Sequence, residues 1–196
     1  MKWLPLVFLF AAPFWEAKAP VDWTEAELQE LLTNSPWAQM MEAPSQAGSS
    51  SVQIFLATST PIEQAEHQWD LRFTKKRPNE PANNANEEYQ AWLSENRAKQ
   101  IVIAVVVALP QALNDEQETR RMQDECVMRV GRKKFKMTGF FPPTAVDRYL
   151  RLAFPREVTA NDKSVYFDLY LPGVPSPFRQ AEFKVKDMLF KGKLEM

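Results

Sequence analysis

The chain has few of the residues from which compact catalytic or metal-binding sites are built. Its 196 residues include one histidine, one cysteine and five glycines. The lone Cys126 excludes an internal disulfide and a cysteine-rich metal site. It reads as a small buried hydrophobe, with an intermolecular disulfide or a reactive thiol as the sharper alternatives. The glycines never cluster, so no phosphate-cradling loop or dinucleotide fingerprint is present. H-E-x-x-H, C-x-x-C and G-x-S-x-G patterns are absent. No cofactor and no metal are expected. Charge is equally uninformative: the formal net charge is −1, which gives no global electrostatic reason to bind nucleic acid or anionic lipid.

What is present begins with an export-type leader. Lys2 precedes an apolar stretch over residues 3–15, and Ala17-Lys18-Ala19 offers a small-x-small cleavage site. The expectation is a signal peptide over 1–19 and a single domain over 20–196, exported to the periplasm or beyond. An uncleaved N-terminal anchor is the alternative, because Pro20 is a poor residue after a cut. No other integral membrane span is expected, since the longest mature apolar run falls well short of about 20 residues.

That run, IVIAVVVAL at 101–109, organises the rest. Nine residues reach about 30 Å as a strand at roughly 3.3 Å each. It is β-branched, apolar on both parities and followed by Pro110, so it reads as a central strand buried on both faces. Before it, Thr24 and Glu27 form a capping box for a short helix with Leu28, Leu31 and Leu32 on one stripe, flanked by Trp23 and Trp37. Residues 42–50 read as a turn-rich linker, and 52–58 as a strand. A second capping box at Thr60 and Glu63, with Pro61 first in the helix, opens a helix to Phe73. Residues 75–86 read as a surface loop, and 87–98 as a helix with Tyr89, Trp92 and Leu93 inward. Strand, helix, helix, strand suggests that 52–58 and 101–109 run parallel through a right-handed crossover.

A helix capped by Asn114 follows, and from Cys126 the period changes to two. Gly131-Arg132 suits a two-residue turn that pairs Met128 with Phe135 and Arg129 with Lys134. Residues 140–143 read as an irregular turn. Strands follow near 149–154, 165–171 and 181–185, with a bend near Asp187 where the apolar phase slips. The fold class is α+β: a single, partly antiparallel sheet with 101–109 central and helices mainly on one face.

Two stretches are distinctive: W-T-E-x-E-x-x-x-L-L-T-x-S-P-W-A at 23–38 and F-K-V-K-D-M-L-F-K-G-K-L-E-M at 183–196. Together with the apolar strand ending in Leu109-Pro110, they resemble an uncharacterised family of small exported proteins of acidobacterial type. The resemblance implies export and a single domain. It implies no activity and carries over no catalytic residue. Both stretches pair aromatic or apolar anchors with cap and turn residues, as packing motifs do.

The candidate sites are few. His67 lies four residues after Glu63 and three before Asp70, so the three share a helix face and form the weak candidate for acid–base chemistry. Arg129, Arg132 and Lys134 belong to a basic hairpin that offers an anion- or surface-binding patch, against a solvated hairpin balanced by the acidic helix before it. Trp23 and Trp37 are the tryptophans expected to be partly exposed, and so to be available for binding. Three functions follow. The first is a non-enzymatic binding or structural domain of the cell envelope with an unidentified protein or envelope partner. The second is a carrier of a small apolar ligand in an aromatic-lined groove, and the third is an enzyme centred on His67.

Overall fold

The computed structural model describes residues 12–45, 48–73, 84–107, 110–144 and 147–196. Among them the order is α1 (Phe14–Ala17), α2 (Glu25–Thr33), β1 (Ala38–Ser45), β2 (Gly48–Leu56), α3 (Thr60–Phe73), α4 (Asn84–Asn96) and β3 (Gln100–Val106). There follow α5 (Glu116–Glu125), β4 (Val127–Val130), β5 (Lys133–Lys136), β6 (Gly139–Phe141), β7 (Tyr149–Pro155), β8 (Ser164–Tyr170), β9 (Phe178–Lys184), β10 (Leu189–Phe190) and β11 (Lys193–Leu194). Residues 1–11 of the leader, most of the 75–86 loop, and Ala108 and Leu109 of the apolar run lie outside the described residues.

The α+β class holds, but the single sheet does not. The strands form a five-stranded sheet in the order β1-β2-β3-β7-β6, a four-stranded sheet in the order β5-β4-β8-β9, and a β10-β11 ribbon. β3 is central, as its two-sided apolarity requires: Ile101 through Val105 are fully buried. Ile101 faces Phe154 across the β3–β7 ladder, and Phe154 stacks edge-on against Phe167 of β8 at 5.3 Å. That face of the large sheet packs on the small one. The opposite parity of β7 carries Arg151, which reaches Glu66 of α3, so this face lies under the helices. Gln53 of β2 bonds the Leu32 carbonyl of α2 on the same side. The helices expected on one face are there, and a second sheet covers the other.

The parallel crossover is corrected. β2 and β3 are antiparallel, with Ile54 opposite Val105. The two helices between them have 14 and 13 residues, similar lengths that allow the chain to return to the end it left. The 42–50 linker is also corrected: its described residues, 42–45 and 48–50, pair as the ends of β1 and β2, and their polarity suits an edge strand open to solvent. Residues 139–141 form the short edge strand β6 rather than a turn, with Pro142 just past its end. α5 is capped by Asp115 rather than Asn114; the Asp115 carboxylate accepts from the amides of Gln117 and Glu118.

Other expectations hold. Thr24 and Glu27 form the reciprocal capping box. The Gly131-Arg132 turn gives the expected register, and Gly131 supplies the positive φ of 57° that the first turn position needs. The bend near Asp187 is a 3-10 turn over Val185–Asp187.

The two distinctive stretches meet in space. The Trp37 indole donates to the Glu195 carbonyl at 2.9 Å, and its ring lies edge-on to Phe190 at 6.4 Å. The Glu195 carboxylate accepts from both the amide and the hydroxyl of Thr60, at 3.2 and 2.8 Å. Thr60 therefore does not cap with Glu63 as expected: α3 takes its cap from the far end of the chain. Arg156 bonds the Met196 oxygen at 2.8 Å, and Met196 is buried. α1 lies on the same seam. Phe14 and Trp15 stand edge-on to Trp23 and Trp37 at 6.0 and 5.9 Å. Glu16 accepts from the Lys191 amide at 3.0 Å, and Lys18 pairs with Glu27 at 2.5 Å.

Candidate functional site

A charged residue interrupts the most buried stretch of β7. Leu150, Leu152, Ala153 and Phe154 are fully buried, and Arg151 among them is 7% exposed. Its partners across the ladders are Ala104 and Phe141, and the small Ala104 leaves space above the sheet. A guanidinium taken from water needs answering charge and hydrogen bonds. α3 supplies Glu66, one turn beyond the buried Ile62 and so on the inward stripe. Arg151 Nη2 and Nη1 donate to its two carboxylate oxygens at 2.8 and 3.4 Å. Arg151 Nε donates to Asp147 at 2.8 Å. Asp147 is itself held by a local turn, in which its amide bonds Thr144 and its carboxylate accepts from the Tyr149 amide.

Two tyrosines flank this triad. The Arg151 guanidinium lies over the Tyr89 ring at 4.6 Å and near the Tyr149 ring at 5.5 Å. Tyr89 is 2% exposed, and Arg151 meets its ring face while its hydroxyl makes no hydrogen bond of ordinary geometry. The Tyr149 hydroxyl accepts from Arg148 at 3.2 Å. Beside the triad, Arg97 pairs with Glu63 and reaches the Thr58 carbonyl at 3.4 Å.

Burial sets the proton affinities. It pushes the Glu66 carboxyl above its ordinary value, more than Arg151 pulls it down, and Asp147 and Asp70 add to the rise. Glu63 is raised for the same first reason, against the pull of Arg97. Burial works to lower the Arg151 pKa, but Glu66, Tyr89 and Asp147 outweigh it and hold the guanidinium charged. Both tyrosine hydroxyls are pushed up by burial.

These groups floor a half-open cleft of about 740 Å³ between α3, α4 and the start of β7. His67, Glu63 and Asp70 all line it, so the structure brings the three candidates together. Their places differ: His67 and Asp70 are on the exposed rim, and Glu63 is half-buried in its pair. The electrostatic centre is Arg151–Glu66–Asp147, which sequence reasoning passed over. A signal for it existed. Glu66 stands at a core position of the Ile62 stripe, and Arg151 sits inside an apolar strand. Among the described residues, no group of three or more His, Cys, Asp or Glu side chains is placed to hold a metal ion.

The other candidates fall elsewhere. Trp23 and Trp37 are 1% and 0% exposed, which corrects their expected partial exposure. Arg129 grips Asp168 through two bonds of 2.5 and 3.1 Å and lies over the Tyr166 ring. Burial works to raise the Asp168 carboxyl, but Arg129 and Gln180 hold it below its ordinary value. Arg132 and Lys134 are exposed, at the hairpin turn and on β5. Cys126 is buried, and burial pushes its thiol up to about 12, so the thiolate needed for reaction is scarce.

Comparisons with models of protein families, with curated proteins and with solved structures return no match.

Proposed function

We propose that the protein is an exported, non-enzymatic binding domain of the cell envelope, and that its ligand site is the cleft above Arg151. The observation that carries this reading is the buried Arg151–Glu66–Asp147 triad flooring a cavity of about 740 Å³. Small-molecule sites combine such concavity with a few oriented polar groups. Arg151 and Arg97 are already paired with carboxylates, so the cleft makes no strong demand for an ionic ligand. It offers donors and acceptors together with the rings of Trp69 and Tyr149. That combination suits a small, neutral, polyhydroxylated ligand with a flat apolar face, such as a sugar ring. An apolar cargo suits it less well, because charged side chains supply so much of the lining.

Native mass spectrometry of protein purified from its own host tests this, followed by calorimetric titration with mono- and oligosaccharides. A retained or titratable polyol whose affinity falls about tenfold or more in Tyr149→Ala supports the reading. Retention of a lipid, or no sugar binding by the intact chain, overturns it.

One observation favours an enzyme as the second reading. A carboxyl raised by burial, Glu66, shares the cleft with His67 and Tyr89, and such a group suits a general acid. Turnover of a chromogenic glycoside that disappears in Glu66→Gln, with ligand binding retained, would decide for it.

A further inference from the structure

We propose that the seam between the two distinctive stretches is a peptide-binding groove, and that residues 14–18 are its resident occupant. The inference is independent of the cleft and rests on the expected cut after Ala19. Four contacts define the occupant. Phe14 and Trp15 present their edges to Trp23 and Trp37 at 6.0 and 5.9 Å. Glu16 accepts from the Lys191 amide at 3.0 Å, and Lys18 meets Glu27 at 2.5 Å. Two adjacent aromatics, an acid and then a base are each met by a complementary group fixed in the domain.

The groove is built rather than incidental. Lys191 and Gly192 connect β10 to β11 with φ values of 49° and 76°, a backbone that holds the Lys191 amide outward for a carboxylate. Glu27 is anchored by its capping box, and hydrogen bonds from Lys18 and Thr24 hold its carboxyl below the ordinary value. Trp37 is fixed from behind by Glu195. The buried Trp23 indole N–H still lacks an acceptor with this occupant in place. Cleavage after Ala19 removes all four occupant side chains and uncovers Trp23 and Trp37. The occupant then admitted is a segment of a partner protein with the same order: two aromatics, an acid, a spacer and a base. A partner residue that supplies an acceptor to Trp23 binds more tightly than the resident segment does.

The test uses the full chain with Phe14→Ala and Trp15→Ala, which loosens the segment without touching the groove. The probe is a fluorescein-labelled synthetic hexapeptide with the sequence of residues 13–18, followed by anisotropy. The parent excludes it, because its own segment competes at an effective concentration of about a millimolar. The double variant binds it at least about tenfold more tightly than the parent does. A hexapeptide with Glu16→Gln binds about threefold more weakly, having lost its charge-assisted bond. If the double variant loses its cooperative thermal transition, Lys18→Glu replaces it, since that exposed change repels Glu27 alone. A folded variant that binds no hexapeptide overturns the proposal. So does hexapeptide-resistant dimerisation of the variant with the parent, which would make the groove a site for segment exchange between copies. The N-terminal mass of the exported chain reports the cut separately, so a misplaced cut and an absent groove give different results.

Discussion

The seam around Trp37 and the cleft around Arg151 both join elements far apart in sequence, and they are finished differently. At the seam an indole, a carboxylate, a hydroxyl and a carbonyl answer one another, and aromatic edges fill the remaining space. At the cleft, ionic groups are paired along the floor, yet a cavity stays open above them. A seam closes a fold. A cleft that keeps charge beneath open space bears a cost that packing alone does not require. The contrast is between polar groups that close on one another and polar groups that leave space above them.

The largest expected effect breaks the cleft floor. Arg151→Met leaves Glu66 buried without its cation and should cost about 3–5 kcal/mol, read as a shifted midpoint in urea unfolding. A loss under about 1 kcal/mol would mean that water already solvates the floor, and the contrast with the seam would fail. At the seam, Trp37→Phe keeps most of the apolar volume and loses the bond to Glu195. A loss of about 1–2 kcal/mol is expected, with ligand binding at the cleft unchanged.

Acidity gives the two regions different signatures. Glu66 has a folded pKa raised above the 4.5 of an exposed glutamate, so the folded state holds the extra proton. Its contribution is fully present below about pH 4.5 and is lost as pH rises through the folded value. Glu66→Gln should remove that decline from the stability–pH curve. Asp168, whose pKa is lowered, acts oppositely: its contribution is present above pH 3.8 and fades as pH falls through its folded value. Asp168→Asn should flatten the acid limb instead. The smallest effect is the control: Arg120→Ala removes an exposed helix pair with Glu116 and should cost about 0.3–0.5 kcal/mol at most.

The parts of the fold legible in the sequence were those governed by local rules. The Thr24 box, the Gly131 turn and the apolar core of β3 each depend on spacing within a few residues. Pairing across distance was less legible. β1 was missed because an edge strand has a solvent side that permits the polar residues 42–50. The second sheet was missed because an antiparallel meander reads the same whether it extends a sheet or packs against one. At the cleft, the rare His67 stands on the rim, whereas the organising groups are common residue types in uncommon places. Arg151 and Glu66 stand out only when polarity is weighed against the burial expected at each position.

The bond between Trp37 and Glu195 spans 158 positions. Contacts of such separation form late, because the loop-closure entropy they carry must be met before they reward the chain. α2, β1 and the start of α3 cannot complete their packing until Glu195 has been made. A nascent chain that has not yet reached Glu195 lacks the contact that caps α3. Glu195 is thus the clasp that joins α2, β1 and the start of α3 across the length of the fold.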